Sequence, residues 1–258
     1  MTRVARGAWR VTGSERTAAV LPAFWLLPTI RMARLILGVT GSVAAIKTPE
    51  LVGALRSAGH EVRVVATRPS LYFFDPAAVE PVAASPSNRW LFRDEDEWPG
   101  TRYERGDEVL HIALRNWADL LIVAPLDANS LAKFAMGISD NCLSCLFRAW
   151  DFSKPVVLAP AMNTLMWESP VTRRHLRQLL EDRATGSPPG DWTLDEAPTI
   201  FAQHAPRIVL IPPQAKRLAC GDFGLGAMAA VSEIAEVVRR WAEQAAADEL
   251  ETGRSSFI

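Results

Sequence analysis

Cys220 lies in "KRLACGDFGLGAMAA", residues 216–230, together with Gly221, Gly224 and Gly226. So many small residues argue against a helix or strand interior and predict a loop, on which a free thiol needs a reason to stand. Asn163 follows the apolar run "KPVVLAPAM", which places an amide at a strand end, as a ligand or as a turn residue. His111 opens "HIALRNWAD" directly after a polar stretch, where an imidazole serves as acid, base, carboxylate partner or helix cap. Cys142 and Cys145 have C-x-x-C spacing in "DNCLSCL", but no second pair completes a metal site. They read as a packed helix face, and no metal is expected. The other histidines, His60, His175 and His204, read as surface.

Such residues need a frame to bring them together. From Arg34 the chain alternates apolar runs with helical stretches: "RLILGVT", "EVRVVAT", "LLIVAP", "KPVVLAPAM" and "PRIVLIPP" read as buried strands. The stretches "GSVAAIKTPELVGALRSAGH", "NSLAKFAMGISDNCLSCLFRAW", 169–181 and "AVSEIAEVVRRWAEQAAADEL" read as helices. This pattern predicts an α/β fold, a doubly wound parallel sheet in one three-layer domain. Residues 80–108 read as a flap over a site, and 183–206, rich in Pro, Gly and Asp, as a surface insertion.

In such sheets ligands collect beyond the carboxyl ends of the strands. Gly41 and Ser42 in "GVTGSVAA" form a strand-to-helix turn, either a phosphate cradle or a plain capped turn. Thr67 and Ser70 in "ATRPS" follow the next strand, and Asp127, Asn129 and Ser130 in "APLDANSLAK" cap a helix or bond a polar ring.

Composition narrows the partners. The 258 residues are 49% hydrophobic, enough for a sizeable core, and carry a net charge of −1, which leaves no electrostatic footprint for nucleic acid or an anionic membrane. Three cysteines fit free thiols in a reducing compartment, so the cytoplasm is expected. Residues 1–31 are Arg-rich, and their apolar run Ala19–Ile30 is too short to span a bilayer. They read as a targeting peptide or an extension upstream of a start at Met32. The domain is then 32–247, with 248–258 as a tail.

Together, "GSVAAIK", "DEDEW", "VLHIALRNWADLLIVAPLDANSLAK", "RAWDFSKPVVLAPAMNTLMW" and "KRLACGDFGLGAMA" resemble the flavin-containing cysteine decarboxylase family, in its free-standing eukaryote-like branch. The resemblance covers residues 33–241 apart from 183–206. It implies a flavodoxin- or Rossmann-like fold, FMN as cofactor, and decarboxylation of 4′-phospho-N-pantothenoylcysteine to 4′-phosphopantetheine in coenzyme A biosynthesis. It makes His111, Asn163 and Cys220 the catalytic set. Gly41, Ser42, Thr67, Ser70, Asp127, Ala128, Asn129, Ser130 and Ala161 would bind FMN; Asn163, Lys216, Arg217, Ala219 and Met228 would meet the substrate. Ser130 stands where threonine is usual, and Phe223 and Leu225 vary the loop. A homotrimer or higher assembly of trimers is implied, with sites at subunit boundaries. The synthetase domain of the bacterial fusions is not expected.

The chemistry explains the residue types. The substrate's cysteine nitrogen is locked in an amide, so a Schiff base is closed to it and another electron sink is required. Oxidation of CH₂–SH to a thioaldehyde by flavin makes one, carbon dioxide leaves, and the ene-thiol is then protonated and reduced. The rival readings are a peptide cysteine decarboxylase, a flavin prenyltransferase, and a halotolerance-type subunit that inhibits a protein phosphatase. "PAMN" and "ACGD" disfavour the prenyltransferase; the short, mildly acidic tail "EQAAADELETGRSSFI" disfavours the inhibitor.

Overall fold

A computed structural model describes residues 32–80, 89–217 and 223–255. Six strands form one parallel sheet: β1 Arg34–Val39, β2 Glu61–Ala66, β3 Leu91–Arg93, β4 Leu120–Leu126, β5 Val156–Pro160 and β6 Ile208–Leu210. Their order is β3-β2-β1-β4-β5-β6, so the winding reverses between β1 and β4. That reversal opens a crevice at the carboxyl edge, where α/β sheets bind ligands. Central β1 is held on both sides, with Leu37 opposite Val64 of β2 and Ile122 of β4.

Strand side chains alternate between two apolar layers, as a period of two requires. Leu35, Leu37, Val62, Val64, Leu120 and Ile122 face α1 Thr48–Ser57 and α8 Val231–Ser255, which bury Leu51, Leu55, Ile234 and Val238. Ile36, Val65, Leu121, Val123 and Leu158 face the other layer. That layer comprises α2 Leu110–Trp117, α3 Ala128–Met136, α4 Cys142–Arg148, α5 Thr164–Trp167, α6 Pro170–Glu181 and α7 Ala197–His204. The expected doubly wound, three-layer α/β fold is what the chain adopts.

Several local expectations change. The stretch "GSVAAIKTPELVGALRSAGH" divides into a 3₁₀ turn, Val43–Lys47, and α1, because Pro49 fits only the first turn of a helix. The long helical stretch from Asn129 divides at Gly137, whose φ of +69° ends α3, and Asn141 caps α4. Residues 89–97, expected in a flap, are instead the edge strand β3 and a turn, with Leu91 and Phe92 buried. Residues 81–88 lie outside the described residues.

The stretch 183–206 is not a surface insertion: Trp192, Ala197, Phe201 and Ala205 are buried in the core. The glycine-rich run likewise enters strands, since β7 Gln214–Arg217 and β8 Phe223–Ala227 form an antiparallel hairpin. His60 is buried rather than superficial, and His175 and His204 are half-buried.

Candidate active site

The turns after β1, β2 and β4 converge at the switch point. A Cβ on Gly41 would lie 2.7 Å from Pro69 Cβ and 3.2 Å from Asp127 Oδ2, so only glycine lets the three turns meet. Thr40 pins the β1 and β4 turns together, its hydroxyl donating to the Pro125 carbonyl at 2.8 Å and accepting from the Asp127 N–H at 2.7 Å. Asp127 in turn caps α3, its Oδ1 accepting from the Ser130 N–H at 2.7 Å. Ser42 caps the 3₁₀ turn after β1.

Thr67 and Ser70 both donate to backbone carbonyls. Thr67 Oγ1 donates to Val39 O of β1 at 3.2 Å, and the buried Ser70 hydroxyl donates to Thr67 O at 2.7 Å. Together they fix the backbone of the turn after β2. Ala128 is half-buried, Asn129 exposed and Ser130 buried at the start of α3.

A cavity of about 730 Å³ opens beyond the strand ends, within the ~300–1,000 Å³ usual for ligand sites. Of the predicted residues it gathers Ser42, Ala161, Asn163, Lys216 and Met228. Sequence reasoning missed its other walls: Val43, Ile46 and Lys47 after β1, Gly226 and Ala227 of β8, and Ala230, Val231 and Ser232 at the start of α8. For those after β1 and at the start of α8 the signal was positional, since they follow a strand or open a helix; Gly226 and Ala227 lie within β8.

The hairpin reaches this cavity because β8 lies on the "PAMN" turn. Met162 N donates to Gly226 O at 3.0 Å, and a Cβ on Gly226 would overlap the Met162 carbonyl. Close approach, more than mobility, is what this glycine supplies. Asn163 Oδ1 accepts from Leu165 N at 2.9 Å and so caps α5. Arg217 belongs to β7, and Ala219 and Cys220 lie outside the described residues.

His111 is not among the residues lining the cavity. It sits in the first turn of α2, half-buried, with Nδ1 2.5 Å from Glu97 Oε1. Its N–H also donates to Glu97 Oε2 at 3.2 Å. Cys145 Sγ lies within 4.8 Å of this pair. Burial and the neighbouring Glu97 push the thiols of Cys142 and Cys145 up from the ordinary range, so both stay protonated. Cys142 packs into the core and Cys145, half-buried, donates to the Ser139 carbonyl at 3.6 Å, so the pair lies on a packed helix face as expected.

A match to the family described as Flavoprotein spans residues 28–243. The chain belongs to the flavoprotein family. This flavoprotein is 47% identical over 206 residues to a phosphopantothenoylcysteine decarboxylase of Oryza sativa subsp. japonica, covering 80% of this chain and 79% of the relative. Among solved structures it is similar to a cysteine-to-serine mutant of PPC decarboxylase complexed with pantothenoylaminoethenethiol. That similarity has a TM-score of 0.65 and 45% identity, covering 83% of this flavoprotein and 100% of the other chain. The FMN binding protein AtHal3 is also 45% identical, with a TM-score of 0.63 and coverage of 83% and 98%.

Proposed function

We propose that this flavoprotein carries out the FMN-dependent decarboxylation of 4′-phospho-N-pantothenoylcysteine, a step of coenzyme A biosynthesis. The observation that carries the reading is the cavity at the switch point, where Ser42, Ala161, Asn163, Lys216 and Met228 meet. A relative of 45% identity and full coverage holds pantothenoylaminoethenethiol, a molecule with the shape of a decarboxylated, still oxidised substrate.

The residues fit FMN. The turn after β1, which Gly41 lets close against the β2 and β4 turns, offers backbone N–H groups at the start of a helical segment beside the cavity. The cavity wall mixes apolar Val43, Ile46 and Met228 with polar Ser42 and Asn163, as a planar ring with a polar edge requires. When bound, FMN accepts a hydride from the substrate's CH₂–SH and later returns it.

The protein's part is to hold and protonate. Asn163 binds the substrate carboxylate, and Lys216, exposed on β7 beside the cavity, meets its anionic end. Cys220, which follows β7 in the sequence and precedes β8, gives the proton to carbon after carbon dioxide has left. His111 completes the site from a second copy of the chain in a trimer or an assembly of trimers. Its absence from the cavity wall of its own copy supports this arrangement, as do the exposed Val43 and Ile46 at the cavity. Cytoplasmic residence belongs to the same reading, because the free thiols of Cys142 and Cys145 suit a reducing compartment.

The test is direct. Purified, FMN-loaded protein given the substrate should release carbon dioxide, and a Cys220→Ser variant should release it while accumulating the ene-thiol. No release by the wild type would overturn the reading; normal turnover by the variant would remove Cys220 from it. Mixing His111→Gln with Asn163→Ala protein should restore part of the activity that each lacks alone, and failure to do so would exclude shared sites.

A further inference from the structure

We propose that Glu97 is a positioning residue for His111, holding the ring as the Nδ1–H tautomer so that Nε2 is the nitrogen that exchanges a proton with the ligand. The inference deepens the decarboxylase reading and rests on it for the role of His111. Glu97 ends the turn after β3 and its side chain is 4% exposed, whereas that of His111 is 22% exposed. A buried carboxylate needs partners, since an unpaired one is costly in a low-dielectric site. Two donors converge on it: the His111 N–H and the His111 ring at Nδ1.

Capping alone does not account for this geometry. The bond from the His111 N–H to Oε2 already satisfies an unpaired donor in the first turn of α2. The second oxygen, 2.5 Å from Nδ1, adds nothing to the helix but fixes the ring. Both oxygens accept, which puts the proton of the ring bond on Nδ1 and the lone pair on Nε2. When Nε2 takes a proton, the imidazolium that forms is already paired with a buried anion, so no group has to reorganise. Cys145 Sγ approaches within 4.8 Å, but the direct Nδ1–carboxylate bond makes this a proton-handling pair rather than a cation site.

The test begins with the FMN-loaded wild type labelled with ¹⁵N-histidine. A long-range ¹H–¹⁵N spectrum, assigned by the signal lost in His111→Gln, should show the Nδ1–H tautomer. Glu97→Gln and Glu97→Ala should shift His111 toward the Nε2–H form. The same variants should lower kcat by about 10- to 100-fold, the usual effect of removing a histidine's carboxylate partner, with KM little changed. A wild-type spectrum showing Nε2–H would overturn the proposal, as would variants that keep the wild-type tautomer or kcat. Should the variants misfold, the wild-type spectrum decides alone. The tautomer is read without substrate, so its outcome is separate from that of the decarboxylation assay.

Discussion

Met162 and Gly226 are joined backbone to backbone, the Met162 N–H donating to the Gly226 carbonyl at 3.0 Å. This bond ties the strand end that delivers Asn163 to the hairpin that carries Lys216 on its other strand. Asn163 and Lys216, both at the cavity, are thereby joined through paired backbone.

A Gly226→Ala change tests that tie. Its methyl group would overlap the Met162 carbonyl, so β8 must lift away from the turn. Displacement of about 1 Å near reacting groups costs on the order of 100-fold in rate. We expect carbon dioxide release to fall by at least 10-fold while far-UV circular dichroism stays native. Wild-type turnover would show that the contact is not needed.

Gly41→Val tests the close meeting of the three turns. The added atoms would enter space held by Pro69 and Asp127 and drive the β1, β2 and β4 turns apart. A misfit of about 1.4 kcal/mol is a tenfold loss of affinity. The purified variant should lose most of its yellow colour and regain it only at raised FMN concentration. Full flavin content after dialysis would refute the assignment.

Asn163→Asp separates holding a helix from holding a ligand. An aspartate accepts the Leu165 N–H as the asparagine does, so the cap of α5 survives and Tm should change little. Facing a substrate carboxylate, however, it places like charges together, which costs several kcal/mol. A fall in kcat/KM of about 100-fold or more with native Tm is the expected pair of results. Retained activity would remove Asn163 from the carboxylate site.

His60 gives a pH-dependent stability. Burial lowers its pKa below the usual imidazole range, and Nδ1 accepts from the Ala33 N–H at 3.4 Å, which requires the neutral ring. Below about pH 6.5 the unfolded chain takes up this proton before the folded one does. Stability is therefore intact above that pH and declines as pH falls toward the lower folded value. Tm measured from pH 7.5 to 5 should drop more steeply for the wild type than for His60→Gln; parallel curves would exclude the residue.

The sheet was legible in the sequence because parallel strands buried on both faces read as unbroken apolar runs, as in "LLIVAP". What escaped was short or masked. β3 has three residues, too few to show a period, and α7 with its C-cap hides Ala197, Phe201 and Ala205 at four-residue spacing behind Pro, Gly and Asp. Counting glycines against strand structure concealed the hairpin, where Gly226 serves backbone contact. The cavity-lining residues were partly readable as strand-end turns. The partner of His111 was not, because Glu97 is 14 positions away and only the fold brings the two together.

The Thr40 hydroxyl bridges the Pro125 carbonyl and the Asp127 amide. It staples the two halves of the sheet at the one place where their winding diverges. The floor beneath the cavity is accordingly a fixed surface that cannot part like a hinge. The β1 and β4 turns are thus joined by a side chain as well as by the backbone ladder of the sheet.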